Sequence, residues 1–123
     1  MKESKKNTGE FISEKNEVYI KIIALAGDAK SKVFEALSMT QEGHYSKARQ
    51  ILKEATKNIN KARKIQQILL TEEARGINVL PSILLTHAMD ILITAESERY
   101  LAINIINLFE SVIQRPPKRG DLK

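Results

Sequence analysis

The sequence contains no cysteine and no tryptophan, and aromatic residues make up 5% of the chain. The absence of cysteine excludes disulfide frameworks, thiol nucleophiles and cysteine-ligated zinc sites. No uninterrupted apolar run approaches the roughly 18 residues of a membrane-spanning helix, and the first residues lack the apolar segment of a signal peptide. We therefore expect a cytoplasmic protein with an aliphatic core.

Residues 16–114 also lack a marked excess of positive or negative charge, although the net charge of the whole chain is +5. Residues 16–114 hold twelve basic and eleven acidic residues, and residues 115–123 hold four basic residues and one acidic residue. No basic stripe alternates with aromatic side chains that could stack on bases. The composition therefore argues against a nucleic-acid-binding protein, whose affinity would depend steeply on salt.

Glycine and proline are few, with five and three residues, and their positions divide the chain. Glycine closes helices and proline opens or stops them, so the expected boundaries lie at Gly43, Gly76, Pro81 and Pro116-Pro117. Between these boundaries apolar residues recur every three or four positions, and no segment alternates with period two. The sequence therefore predicts an all-α chain of three helices.

The predicted helices cover roughly residues 16–42, 44–74 and 81–114, each about 27–34 residues or roughly 40–50 Å long. Long helices joined by short turns indicate an antiparallel three-helix bundle. Residues 1–15 would then form an N-terminal charged tail, and residues 115–123 a basic C-terminal tail. Because three such helices make a slender rod, self-association would bury further apolar surface, and we expect an oligomer.

The third predicted helix carries polar residues within its most apolar stripe. On a helical wheel at about 100° per residue, six large apolar residues fall within about 40° of His87: Ile83, Ile91, Leu101, Ile105, Phe109 and Val112. Asp90 lies about 60° to one side, and Thr94 and Glu98 lie within about 20°. Polar groups in such a stripe need a partner helix, a metal ion or a cavity.

Two interpretations of His87 remain open on the residues alone. His87 could be a satisfied core histidine, for example paired with Asp90 at a spacing of i,i+3. Alternatively, His87 is a nucleophile that takes a phosphoryl group, with a nearby carboxylate fixing its tautomer. The other histidine, His44, follows Gly43 and is interpreted as a helix-start residue.

Three segments carry a resemblance to a known family, and they read IIALAGDAKSKVFEALSMTQEGHYSKA, ARKIQQILLTEEARG and SILLTHAMDILITA. Over roughly residues 17–114 the chain resembles the lactose/cellobiose-type IIA component of the bacterial sugar phosphotransferase system. In that family the first segment tends to contain Ala-Gly-(Asn/Asp)-Ala-(Arg/Lys)-Ser. The third tends to read Leu-Leu-x-His-Ala-Gln-Asp-His-Leu-Met.

The resemblance implies a role for His87, which matches the family's phosphorylated histidine. The donor in the family is the histidine-containing phosphocarrier protein, and the acceptor is a cysteine of the IIB component. The IIB component phosphorylates a disaccharide of the lactose, cellobiose or chitobiose class as it enters through the membrane IIC component. The resemblance thus implies only an indirect association with the membrane.

The resemblance also implies a homotrimer of three-helix subunits, a nine-helix bundle. Asp90 matches an aspartate that meets its symmetry mates on the trimer axis and holds one divalent cation, Mg²⁺. Three carboxylates in one interface repel each other, and a hard cation with oxygen ligands neutralises them. Gln66, within the apolar stripe of the second helix, is a candidate for a hydrogen bond in the same interface or cleft.

The chain departs from the family pattern at two positions near His87. Met89 stands where the family usually has glutamine, and Ile91 where it usually has a second histidine. These departures keep an alternative open, in which the chain is a non-catalytic helical scaffold or a regulatory subunit of a transport complex. The identity of the sugar is not encoded in this chain, because a IIA component never contacts it.

Overall fold

A computed structural model describes residues 2–77 and 82–114, and the side chains of residues 9–77 and 82–113. Its elements are three helices, α1 (Lys2–Gln41), α2 (Tyr45–Ala74) and α3 (Ile83–Gln114), and the described ranges contain no strand. Each helix packs against the other two. The predicted all-α three-helix bundle is confirmed.

The turn glycines behave as their positions predict. Gly43 and Gly76 have φ of +84° and +81°, in the left-handed region that glycine enters without steric cost. His44 is the N-cap residue of α2, and its carbonyl accepts a hydrogen bond from the Ala48 N–H at 2.9 Å. The boundaries predicted at Pro81 and Pro116-Pro117 lie outside the described residues.

Helix α1 is longer than the sequence analysis predicts. Residues 2–15, which we expected as a charged tail, form its first turns and bring it to 40 residues. The segment is rich in lysine and glutamate, which are good helix formers, and contains no proline. Lys15 forms an ion pair with Glu72 of α2 and lies over the Phe11 ring. The predicted C-terminal tail, residues 115–123, lies outside the described residues.

The core is aliphatic and rich in alanine. The predicted apolar stripes of α1 and α2 point into it, and their fully buried members include Ile22, Val33 and Ile59. Nine buried alanines, three from each helix, allow the helix backbones to approach closely: Ala26, Ala29, Ala36, Ala48, Ala55, Ala62, Ala88, Ala95 and Ala102. None of the described helices has an apolar stretch long enough to cross a membrane.

Helix α3 buries a different side from its most apolar stripe. Its buried residues are Ala88, Leu92, Ala95, Ala102 and Ile106, and their mean direction lies roughly 100° from His87 on the helical wheel. Large side chains of the stripe around His87 remain accessible instead, with Ile83 91% exposed and Leu101 60% exposed. Most of the stripe is therefore an outward face of the single chain.

Candidate functional site

His87 lies in the second turn of α3 and is exposed. The Ser82 hydroxyl accepts a hydrogen bond from the Leu85 N–H at 2.9 Å, which caps the helix just before His87. No hydrogen bond or salt bridge joins the His87 side chain to another side chain of the described residues. The interpretation of His87 as a satisfied core histidine is therefore wrong for the single chain, and its imidazole can meet a partner.

Asp90 lies almost one turn after His87 and is also exposed. Within residues 9–77 and 82–113, its carboxylate forms no salt bridge or hydrogen bond, so the postulated pair with His87 does not form. Its backbone carbonyl accepts a hydrogen bond from the Thr94 hydroxyl at 3.0 Å. The described part of the chain contains no cluster of three or more potential metal-ligating side chains. One chain therefore supplies a single free carboxylate here.

Thr94 and Glu98 both accept hydrogen bonds from a lysine of helix α1. The Nζ atom of Lys30 donates hydrogen bonds to Thr94 Oγ1 at 3.0 Å and to Glu98 Oε1 at 2.7 Å. The other carboxylate oxygen, Glu98 Oε2, is buried without a hydrogen-bond partner in the described part of the chain. Lys30 is not among the site residues predicted from the sequence, although it occupies the basic position of the Ala-Gly-Asp-Ala-Lys-Ser stretch.

The two positions that depart from the family pattern fill the seams between helices. Met89 points toward α2, where its Sδ atom accepts a hydrogen bond from Gln66 Nε2 at 3.3 Å. Gln66 thus has a partner within its own chain. Ile91 points toward α1, where its Cδ1 atom lies 3.7 Å from the position that a Cβ atom on Gly27 would take. Both side chains therefore serve the packing of the bundle.

The outward side of α3 forms a continuous surface, which we call the His87 face. Its members recur at steps of four, three, four, seven and seven residues, which keep them on one side of the helix. They are Ile83, His87, Asp90, Thr94, Leu101 and Leu108. Leu101 and Leu108 are 60% and 62% exposed. The His87 face thus combines three large apolar side chains with His87, Asp90 and Thr94, and exposed apolar side chains that cluster in this way are typical of interaction surfaces.

Two other features lie outside the His87 face. A groove of about 1070 Å³ lies at the opposite end of the bundle, beside the turn between α1 and α2, and none of the predicted site residues lines it. On α1, Lys32 Nζ donates a hydrogen bond to Asp28 Oδ2 at 2.8 Å. This hydrogen bond raises the pKa of Lys32 above its ordinary value.

Comparison with known proteins gives the same family from sequence and from structure. Residues 17–110 match the model of the lactose/cellobiose-specific IIA subunit family. The lactose-specific EIIA component of Staphylococcus epidermidis is 38% identical over 89 residues, which cover 72% of this chain and 86% of that protein. The lichenan-specific IIA component of Bacillus subtilis is 29% identical over 102 residues, which cover 83% of this chain and 93% of that protein.

A solved structure shares the fold. The cellobiose-specific enzyme IIA from Bacillus anthracis superposes with a TM-score of 0.78 at 31% identity, covering 81% of this chain and 92% of that one. The family match covers most of the bundle and every member of the His87 face, since these members lie within residues 17–110. The chain therefore belongs to the lactose/cellobiose-specific IIA family of the phosphotransferase system.

Proposed function

We propose that this protein is a phosphocarrier that accepts a phosphoryl group on His87 and passes it to a IIB component for the uptake of a disaccharide. The donor is the histidine-containing phosphocarrier protein, and the protein acts in the cytoplasm. The observation that carries the proposal is the exposed imidazole of His87, which has no competing partner among the described side chains. The resemblance to the family matches this residue with the phosphorylated histidine.

The chemistry asks little of the chain beyond position and exposure. One imidazole nitrogen of neutral His87 attacks the phosphorus of the donor phosphohistidine, the donor N–P bond breaks, and its electron pair returns to the donor imidazole. In the second transfer a cysteine thiolate of the IIB component attacks the phosphorus, the N–P bond to His87 breaks, and its electron pair returns to the His87 imidazole. Phosphoryl transfer depends mainly on positioning and charge stabilisation, and a side chain on a capped, rigid helix supplies the positioning.

The His87 face favours assembly into a homotrimer in which the outward sides of three α3 helices meet. Burying Leu101 and Leu108 between copies would remove their exposed apolar surface from water. Asp90 would then lie close to its counterparts. Because its carboxylate is exposed and unengaged among the described residues, three copies fit a hard divalent cation. We propose that Mg²⁺ held there neutralises the carboxylates and clamps the subunits, apart from the phosphoryl transfer.

Phosphorylation of the purified chain tests the proposed function. Incubation with phosphoenolpyruvate and the two general phosphotransferase proteins should add one acid-labile phosphoryl group per chain, measured by intact mass. His87→Gln should abolish the labelling, whereas His44→Gln, which changes the exposed turn histidine, should retain it. Labelling that survives His87→Gln would sink the assignment. An intact oligomer that never labels would favour the non-catalytic scaffold.

Metal binding tests the role of Asp90 separately. Isothermal titration with Mg²⁺ should give one ion per three chains, and Asp90→Asn should remove that binding because the neutral amide is a far weaker ligand. His87→Gln should leave the titration unchanged, since the histidine takes no part in the clamp. Unchanged Mg²⁺ affinity in Asp90→Asn would contradict the axial role and leave the phosphorylation result untouched.

A further inference from the structure

Residues 16–114 are nearly neutral in total, but their basic and acidic residues are distributed unequally among the helices. Residues 45–75, which comprise α2 and the residue after it, hold eight basic and three acidic residues, a net charge of +5. Helix α3 holds one basic and four acidic residues. The charge excess of residues 45–75 equals the net charge of the whole chain, so α2 is the place to seek a partner of opposite charge.

Four lysines gather this charge on one side of α2, which we call the lysine face: Lys53, Lys57, Lys61 and Lys64. Their spacing of four, four and three residues keeps them within about 40° of Lys57, along roughly 16 Å of helix. All four are exposed, whereas Ala55, Ile59 and Ala62 on the opposite side of the helix are buried. The lysine face therefore points away from α1 and α3.

The lysine face is not neutralised by the bundle. Within residues 9–77 and 82–113, none of its four lysines forms a salt bridge. The arginines on the α3 side of the same helix do pair, Arg49 with Glu110 and Arg63 with Glu96. Like charges one helical turn apart repel each other, so folding of the single chain does not account for this arrangement. An anionic surface lying along the face would offset the repulsion.

The composition of the face indicates what kind of anionic surface it fits. We propose that α2 binds an anionic lipid surface through the lysine face. Clusters of four to eight basic residues on one side of a helix are typical of such binding. The one large apolar neighbour, Ile68, lies one turn after Lys64 and is 60% exposed, so it can enter the headgroup region.

Two other kinds of partner fit the face less well. Lysine is depleted in protein–protein interfaces, whose cores are enriched in aromatic residues. Single-stranded nucleic acids are bound by aromatic side chains that stack on the bases. Between Ser46 and Thr71 helix α2 contains no aromatic residue. A lysine cluster without aromatic residues is better suited to bind the many phosphate groups of a lipid surface, which it contacts without sequence specificity.

This orientation leaves His87 uncovered. Glu98, within about 20° of His87 on the α3 wheel, contacts Lys30 of α1. The α2-facing side of α3 is marked instead by Met89, which contacts Gln66. A chain that lies on lipid through α2 therefore does not cover its phosphoryl site with the lipid surface. Residence at a membrane surface would concentrate it near a membrane transporter.

Co-sedimentation of the full chain with vesicles tests the proposal. The chain should sediment with equimolar phosphatidylglycerol and phosphatidylcholine vesicles at low salt, and not with pure phosphatidylcholine. Binding should disappear at about 1 M salt, where the Debye length is about 3 Å. Replacing all four lysines of the face by glutamine should weaken binding roughly tenfold or more. Circular dichroism should show unchanged helicity, because all four side chains are exposed.

Two matched variants separate the face from charge in general. Arginine at the same four positions should preserve binding. Glutamine at Arg115, Lys118, Arg119 and Lys123 removes the same number of charges and should preserve most of it. Loss of binding in this second variant, with retention in the lysine-face variant, would overturn the proposal. The proposal would also be overturned if the chain did not bind anionic vesicles. It would be overturned as well if the same four lysines bound duplex DNA more tightly than they bind the vesicles.

Discussion

The outward sides of α2 and α3 differ more than the sides that these helices bury. Both helices bury alanines together with leucine and isoleucine. Outward, α3 presents the His87 face, with large apolar side chains, a histidine and an aspartate, whereas α2 presents four lysines and Ile68. The buried sides thus pack into one bundle, whereas the outward sides differ in the partners that they can bind. We assign copies of the chain and phosphoryl partners to α3, and an anionic surface to α2.

The largest expected effect is on self-association, and it is tested by placing an aspartate on the outward side of α3 and, as a control, on that of α2. Leu101→Asp should convert the self-associated protein into monomers, because each copy loses about 1.5–3 kcal/mol of leucine burial and must bury a carboxylate. Lys57→Asp should leave the mass unchanged. Sedimentation equilibrium at micromolar concentration measures both. Equal masses for the two variants would contradict the assignment of self-association to the His87 face rather than to α2.

A smaller effect should separate the buried side of α3 from its outward side. Leu92 is fully buried, whereas Ile93, the next residue, is 58% exposed. In the monomeric Leu101→Asp background, Leu92→Ala should lower the free energy of unfolding by about 2–5 kcal/mol. Ile93→Ala should cost less, about 1 kcal/mol or under, since more than half of its surface stays in water after folding. Urea denaturation measures both values. Equal losses would show that the buried side has been misassigned.

The sequence predicts the buried sides of α1 and α2 but not that of α3. In α1 and α2 the most apolar stripe is the core stripe, so periodicity locates it. In α3 the core stripe contains three alanines, and the outward stripe contains larger residues such as Ile83 and Leu101. Hydrophobic periodicity therefore selects the outward stripe. The family resemblance assigns His87 its role, and the structure adds that its imidazole is exposed.

Contacts between helices escape a sequence analysis for a different reason. Lys30 contacts Thr94 and Glu98, and this pairing depends on how α1 and α3 are rotated against each other. A stripe on one helix does not fix that rotation. The lysine face escapes notice because the acidic residues of α3 cancel its charge in the total. Lysines 53, 57 and 61 are nevertheless spaced at i,i+4, which is a signal the sequence does carry.

The smallest effect should test the seam where α1 borders the His87 face. A Cβ atom on Gly27 would lie 3.7 Å from Ile91 Cδ1, an ordinary contact, and alanine is about 0.5–1 kcal/mol more favourable than glycine within a helix. Gly27→Ala should therefore stabilise the monomeric background by about that amount, measured by urea denaturation. Gly43→Ala, at φ +84°, should instead destabilise it by about 1–2 kcal/mol.

The same substitution then reports on the assembled protein. If Gly27→Ala stabilises the monomer but weakens self-association, a second copy approaches the backbone at Gly27, and the interface extends from α3 onto α1. Ile20 and Phe34, which are 54% and 58% exposed, would then belong to that interface, because steps of seven residues place them near Gly27 on the wheel. If self-association is unchanged, the interface between copies does not extend to Gly27 of α1. Sedimentation equilibrium of Gly27→Ala with Leu101 intact distinguishes these outcomes.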